Sequence, residues 1–358
     1  MPIKSSLLNK PRLVKKLKDF YDYVQKNDGK VGRKTRGIDL NFNNACNLRC
    51  KYCFTNSPKG DHVKEYLDYD AIARLADEAD ELGYFEFDLQ GGELLLQPDK
   101  LFKVLEAIKP ERFYLYLTTN GFYLDKKMAE RLADANVSRV SVSIDSMDEK
   151  IHDEIRGRKD SWRRAIEALK HVKDAGMDPY LNITVGHYNA NTDHFKKLLD
   201  YSRDQRYRTL LNVAVPAGMW QKMDDIICDD KDREYLRKIR KEYKNLVRNV
   251  WNPFDKNHEK ILGCTTVNRL YITPIGDVLV CPYVHIKIGN IFKQSLREIV
   301  DHGFSIKYFS NHSDLCLAGE DRSFINKFMT KSGQSIFKPA LASEIFSEDD
   351  YIQDAAKE

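Results

Sequence analysis

Cys46, Cys50 and Cys53 fall within eight residues of the run NFNNACNLRCKYCF (41–54), spaced C-x3-C-x2-C. Three thiolates that close in sequence converge on one soft metal centre with little help from distant residues. On a four-iron cube, three sulfurs leave one iron without a protein ligand, and a substrate or cofactor binds at such an open position. A closed zinc knuckle wants a fourth ligand from a second Cys or His pair close by, yet the next cysteine is Cys228. Disulfide pairing suits neither an odd number nor a chain whose opening MPIKSSLLNK has no continuous apolar signal-peptide core. The expected compartment is therefore reducing and cytoplasmic.

From Gly37 onward, short apolar runs alternate with longer stretches of helical period. Strands are expected at Ile38–Phe42, Tyr84–Leu89, Phe113–Thr118, Arg139–Ile144, Tyr180–Val185 and Thr209–Val215. Helices are expected at Asp68–Leu82 (stopped by Gly83), Asp99–Ile108, Asp125–Ala135, Ser161–Ala175 (capped by Ser161 or Asp160) and Thr192–Arg203. Six β/α units within 37–220 predict a parallel sheet with helices outside, too few for a closed eight-stranded barrel: an α/β fold with a partial (β/α)6 barrel. Active sites of such folds lie at the C-terminal strand ends, which is where the cysteine loop follows the first strand.

The cysteine spacing, with Tyr52 just before the third Cys, resembles the cluster loop of the radical S-adenosylmethionine (SAM) enzymes. The resemblance implies a [4Fe–4S] cluster held by Cys46, Cys50 and Cys53, with SAM chelating the fourth iron through its amino and carboxylate groups. One electron then cleaves SAM to a 5′-deoxyadenosyl radical, which abstracts a hydrogen atom from the substrate. Gly91-Gly92-Glu93 after the second strand resembles the family motif that binds the SAM amino group. Thr119 and Asn120, ending strand three, and Ser141, Ser143 and Asp145, ending or lining strand four, resemble positions near its ribose and carboxylate, with Ser143 the best single choice for a polar contact. Arg156 in HDEIRG resembles a basic residue presented to the SAM carboxylate, with a surface arginine in a helix–loop turn as the alternative. Asn182, Thr184 and Asn212 suit a barrel lumen or satisfied structural positions. Trp220, in the loop PAGMWQKM, suits either packing or a substrate platform.

Beyond a charged helix expected at Lys231–Val250, the run GCTTVNRLYITPIGDVLVCPYV carries Cys264 and Cys281 around a hairpin, Arg269–Thr273 with Val278–Cys281, turning at Gly276. A helix at Leu296–His302 precedes Cys316. This order resembles the small twitch-like extension of the SPASM/twitch enzymes, a β-hairpin and helix around iron–sulfur. It implies an auxiliary [4Fe–4S] cluster on Cys264, Cys281 and Cys316. The pattern departs at CLAGED, where Gly319 stands at the C-x2-C position, so Cys228, His285, His312, an acidic side chain or the substrate would supply the fourth ligand. Three buried free cysteines, or a zinc site of the three with one histidine, are the alternatives.

The expected organisation is thus a basic helical segment at 1–36, the barrel at 37–220, a helical connector at 221–254, the iron–sulfur extension at 255–330 and a tail at 331–358. Basic residues are dense from Lys4 to Arg36, where LVKKLKDFYDYVQK reads as an amphipathic helix packed on the body rather than an arm for an acidic partner. With a net charge of only +4 and no apolar run near the roughly 20 residues of a membrane span, neither a nucleic-acid nor a membrane partner is expected. The expected partner is a one-electron reductant such as flavodoxin or ferredoxin. A small polar metabolite (sugar, nucleoside or aminocyclitol) is the favoured substrate, for oxidation, epimerisation or elimination. About 36 residues precede the first strand, fewer than the leader-binding module of many peptide maturases. A ribosomal peptide maturase, crosslinking or oxidising side chains, is the alternative, followed by a non-catalytic iron–sulfur or zinc module.

Overall fold

The computed structural model describes residues 9–57, 67–333 and 335–353; the start of the N-terminal segment and the end of the tail lie outside these. Six β/α units follow one another, with strands β1 (Gly37–Asn41), β2 (Glu86–Gln90), β3 (Tyr114–Thr119), β4 (Arg139–Ser143), β5 (Asp178–Val185) and β6 (Arg208–Val213). They pair in parallel in sequence order. Outside them lie α2 (Tyr69–Glu81), α3 (Pro98–Ile108), α4 (Lys126–Asp134), α5 (Glu149–Arg156), α6 (Ser161–Asp174) and α7 (Asp193–Asp204), after an N-terminal α1 (Pro11–Lys26). Leu13, Phe20 and Val24 of α1 pack with Phe85, Val31 and Leu262, the amphipathic arrangement its sequence predicts.

The strand faces explain the partial barrel. Leu40, Phe87, Leu89, Leu115, Leu117, Val140, Val142, Leu181 and Ile183 are buried in the main apolar core. The alternate positions form a polar lumen, not the Val/Ile/Leu layers of a closed barrel. At its floor, Arg269 reaches Glu86 at 2.6 Å and also bonds Asp39 and the Tyr116 hydroxyl. A side chain of one strand meeting Tyr116 across β1 and β2 requires a curled sheet. Arg139 lies between the rings of Tyr116 and Tyr180, 4.0 and 3.9 Å from their centres.

The C-terminal part extends the same sheet. Strands β8 (Arg269–Ile272), β9 (Asp277–Cys281) and β10 (Val284–Asn290) form an antiparallel meander whose β8 pairs in parallel with β1. The order is β11-β10-β9-β8-β1-β2-β3-β4-β5-β6-β7, with β7 at Leu246–Val247 and β11 at Ala340–Leu341. The hairpin turns as expected, with Gly276 at φ +79. The connector departs from expectation: its helix, α8, spans Asp230–Glu242, not 231–250. The chain then joins the sheet edge as β7, because Leu246 is buried against β6 and pairs with Thr209. Asp160 occupies the N-cap position of α6, as one of the two expected, but its side chain makes no capping bond; the Asp153 carboxylate accepts from Asp160 N, Ser161 Oγ and Trp162 N instead. The helix α9 (Leu296–Ser305) carries a Ser295/Glu298 capping box and precedes Cys316.

Candidate active site

The cysteine loop leaves β1 through two asparagines that replace missing backbone partners. Asn41 Oδ1 accepts from Asn43 N at 3.0 Å, and Asn43 Oδ1 accepts from Ala45 N at 2.6 Å. Gly91 and Gly92 then lie against the loop backbone. A Cβ on Gly91 would stand 2.3 Å from Asn43 O, and one on Gly92 2.1 Å from Ala45 O. Gly92 N and Glu93 N donate to those same carbonyls at 2.9 and 2.7 Å. Both glycines are therefore required by a close approach of two backbones beside a cavity.

That cavity is lined by Cys46, Cys50, Cys53 and Tyr52 from the loop, by Gln90, Gly91 and Gly92, and by Thr118, Thr119, Asn120, Ser143, Asn182, Thr184 and Asn212 from the strand ends. Arg156, Phe54, Trp220 and Tyr283 add to its wall, together with Thr55, Ser57 and the aliphatic Leu48, Val213 and Val215. Of the residues that the resemblance assigns to the first cluster and SAM, only Glu93, Ser141 and Asp145 are absent from the lining. The fully buried Glu93 carboxylate accepts from Leu95 N at 3.0 Å, Thr119 Oγ1 at 2.7 Å and Asn120 N at 2.8 Å. Burial raises its pKa against these bonds. Glu93 thus ties the Gly-Gly turn to the end of β3.

Arg156 is a buried wall residue, not a surface one. Its guanidinium grips Asp145 through Nε at 2.6 Å and Nη2 at 3.2 Å, while Nη1 lies 3.7 Å from Cys50 Sγ. The Tyr52 hydroxyl bonds the same carboxylate, and its ring lies 5.0 Å from that of Trp220. Asp145 is thus the hub of the wall, a role its position just after β4 only hinted at. His152 Nδ1 accepts from Asp145 N at 3.2 Å, and burial pulls its pKa down to about 4. Ser141 is buried below the cavity and accepts from Arg139 Nε. Ser143 reaches the cavity itself, as the alternation of β4 requires.

The second trio stands where the meander meets the end of the connector. Cys264 N donates to Ser313 O at 2.8 Å, Cys281 Sγ accepts from Tyr283 N at 3.3 Å, and Cys316 N donates to Glu320 Oε2 at 2.9 Å. Arg248 pairs with that Glu320 oxygen at 3.0 Å, both side chains being buried. Neither Arg248 nor Glu320 stood out in the sequence, and nothing local marks Arg248 as a partner. Among the other ligand candidates, His312 is bonded to Asp314 at 2.8 Å, and Cys228 is buried near Glu320 and Arg248. The His285 Nε2 is buried without a partner among the described residues.

The donor sets fit iron–sulfur clusters better than single ions. Among the described residues, neither trio brings its three sulfurs within 4.8 Å of one another; a tetrahedral zinc site with Zn–S of about 2.3 Å needs sulfurs about 3.8 Å apart. Burial pushes Cys46 and Cys281 up to about 12 and raises Cys50, Cys264 and Cys316, with Arg156 opposing the rise at Cys50. A bound metal cation would favour the thiolate form against that burial.

Residues 40–202 match the family model of the Radical SAM superfamily, and residues 264–318 match that of SPASM, an iron–sulfur cluster-binding domain. The chain thus carries both a radical SAM domain and a SPASM domain, the pairing of the SPASM/twitch subgroup of radical SAM enzymes. Such domains imply a [4Fe–4S] cluster with SAM and auxiliary iron–sulfur. GTP 3′,8-cyclase of Staphylococcus aureus is 29% identical over 188 residues, 51% of this chain and 55% of the relative. The chain therefore spans about half the length of the curated relatives it matches. In fold it resembles Streptococcus suis SuiB bound to precursor peptide SuiA, at 17% identity and TM-score 0.59 over 79% of this chain and 68% of that one. It likewise resembles anSMEcpe with bound AdoMet, at 20% identity and TM-score 0.58 over 74% and 80%. Among the described residues, no helix is long and apolar enough to cross a membrane.

Proposed function

We propose that this enzyme cleaves SAM at a [4Fe–4S] cluster on Cys46, Cys50 and Cys53 and takes a hydrogen atom from a small polar metabolite of the sugar, nucleoside or aminocyclitol type. The outcome is oxidation, epimerisation or elimination, an oxidoreductase or lyase-type activity. When bound, cluster and SAM supply the radical chemistry; the chain supplies placement. Gly91 and Gly92 open their backbone to the SAM amino group, and Glu93 and Thr119 fix that turn from behind. Asn120 and Ser143 offer polar contacts, and Arg156, oriented by Asp145 and Tyr52, faces the SAM carboxylate. Cys264, Cys281 and Cys316 hold the auxiliary cluster, with Glu320 the acidic side chain beside it.

The observation that carries the substrate class is the lining. Gln90, Thr118, Asn182, Thr184 and Asn212 offer amides and hydroxyls, Trp220 and Tyr283 offer ring faces, and Arg156 is its one charged residue among those described. Such a wall suits a hydroxyl- and carbonyl-bearing ligand with a flat or ring face. The relative that shares 29% identity is named for a nucleotide reaction, in the same direction. A peptide is the second reading, favoured by Tyr188, which is 46% exposed with its ring 5.5 Å from that of Trp220. Residues 37–220 act as the barrel, 221–254 as connector and 255–330 as the auxiliary-cluster extension. Seven free cysteines suit the cytoplasm. The test is anaerobic reconstitution, dithionite reduction and a screen of deuterated sugars, nucleosides and peptides. Deuterium in 5′-deoxyadenosine from a small molecule supports the reading. Deuterium from peptides alone replaces it with the second, and no SAM cleavage at all removes both.

A further inference from the structure

Within the cysteine loop, Cys46, Cys50 and Cys53 face the cavity while Ala45, Arg49 and Lys51 are exposed to solvent. The thiolates therefore lie one loop's thickness beneath an outer face. That face is fused to the turn between α5 and α6. Arg49 N and Lys51 N donate to Arg156 O and Ile155 O, both at 3.0 Å, and Arg158 Nη1 donates to Asn47 O at 3.0 Å. Gly157, at φ +66, fits only because a Cβ there would stand 2.7 Å from Arg49 O.

The joined surface is strongly basic. Arg49, Lys51, Lys159, Arg163 and Arg164 are exposed and Arg158 is half-buried. The acids among them are few: Glu154 pairs with Lys51 at 2.6 Å, Asp160 with Arg163 at 2.9 Å, and Asp153 is held by the start of α6. A chain of net charge +4 thus concentrates six cations over its first cysteine trio. Arg158 and Arg164 stack over Phe122, 3.9 and 5.8 Å from the ring centre, and the adjoining Tyr123 is 40% exposed. Arginine and tyrosine among exposed cations make a composition suited to a transient protein interface.

We propose that this face, Arg49, Lys51 and the 158–164 turn with Tyr123, is the docking surface for a small acidic one-electron carrier protein. The proposal rests on the reading that Cys46, Cys50 and Cys53 hold a cluster that must be reduced. One electron leaves the reduced carrier, which is thereby oxidised, and enters the cluster, which is thereby reduced; no proton or group moves. Electron transfer weakens steeply with distance, so a carrier gains from docking where the loop alone separates it from the thiolates. Complementary charge raises the encounter rate and orients the carrier.

The test compares wild type with a Lys51→Glu, Lys159→Glu, Arg163→Glu variant, both reconstituted, using either dithionite or a reduced acidic ferredoxin. The dithionite-driven yield of 5′-deoxyadenosine should be the same in both. With ferredoxin at low salt, the variant's KM for the carrier should rise about tenfold or more. The gap should close as salt approaches about 0.5 M, where charges are screened within a few ångströms. Direct titration of oxidised ferredoxin into each protein should show the same loss of binding. An equal KM in the two proteins overturns the docking surface while leaving the proposed function intact, whereas dithionite failure in wild type strikes that function itself. Charge reversal on α8 (Lys231→Glu, Arg237→Glu, Lys241→Glu) should leave the ferredoxin KM unchanged; an equal rise there reduces the effect to net charge and overturns the surface. Should the first variant lose iron, the Lys51→Gln, Lys159→Gln, Arg163→Gln variant is held to the same criteria.

Discussion

Cys46, Cys50 and Cys53 come from one loop whose own asparagines and the facing Gly91-Gly92 turn hold its shape. Cys264, Cys281 and Cys316 come from three separate segments, and their approach depends on β8 docking beside β1 and on a loop that returns after α9. Each trio has one buried arginine–carboxylate pair, turned in opposite senses. Beside the first, the Arg156 cation faces Cys50 and Asp145 stands behind it. Beside the second, the Glu320 carboxylate faces Cys316 and Arg248 stands behind. A cation near a thiolate stabilises it and an anion opposes it. The first site is therefore preset by its loop and the Arg156 cation beside it, while the second takes shape only in the assembled fold and has a carboxylate beside it.

The largest test of this contrast removes each trio. Changing Cys46, Cys50 and Cys53 to Ala together should abolish reductive SAM cleavage while circular dichroism shows a native fold, because these thiols line a cavity rather than a core. Changing Cys264, Cys281 and Cys316 should roughly halve the iron content measured by chemical analysis, keep uncoupled SAM cleavage and lose product. Equal iron in the second variant and wild type, or zinc in place of iron, would sink the auxiliary-cluster assignment.

Next come the buried pairs. Arg156→Met and Arg248→Met should each cost about 3–5 kcal/mol in chemical denaturation, since each leaves a buried carboxylate without its cation. Only the first should also slow SAM cleavage per bound cluster. If both slow it equally, the two regions are not the separate units described.

Mild acid should weaken both regions. Burial holds His152 and His285 neutral with pKa values of about 4, whereas an unfolded histidine titrates near 6.5. The unfolded chain therefore binds protons first, and stability is lost as pH falls from about 6.5 towards 4, at up to about 1.4 kcal/mol per unit for each histidine. His152→Gln should flatten part of this acid limb in urea titrations; an unchanged limb would show that His152 contributes nothing to it.

The smallest effect concerns Glu93. Because its carboxylate holds Leu95 N, Asn120 N and Thr119 rather than lining the cavity, Glu93→Gln should weaken SAM binding only about three- to tenfold, through a loosened Gly-Gly turn, on the scale of one ordinary hydrogen bond. Thr119→Val, which removes one of the same bonds, should produce part of that loss. Calorimetry on reconstituted protein reads both, and a Thr119→Val variant with wild-type affinity would point to a direct role for Glu93.

Periodicity along the chain determined the six β/α units, and local spacing determined the first cysteine loop, because the side-chain pattern of a strand or helix and the turns of a short loop are both written within a few residues. The hairpin around Gly276 was legible for the same reason. Strand alternation put Ser141 and Ser143 on one face of β4, and the fold decided that Ser143 meets the cavity while Ser141 lies buried below it. The sequence was silent on what distance in the chain conceals. Only the fold decided between the site and surface readings of Arg156, setting it in the wall gripping Asp145, or drew Glu93 back into the scaffold. Only the fold set Arg248 and Glu320 beside Cys316, or filled the barrel floor with Arg269 and Arg139. These contacts join residues from different elements, and a buried charge shows its partner only once the sheet has curled and excluded water around both.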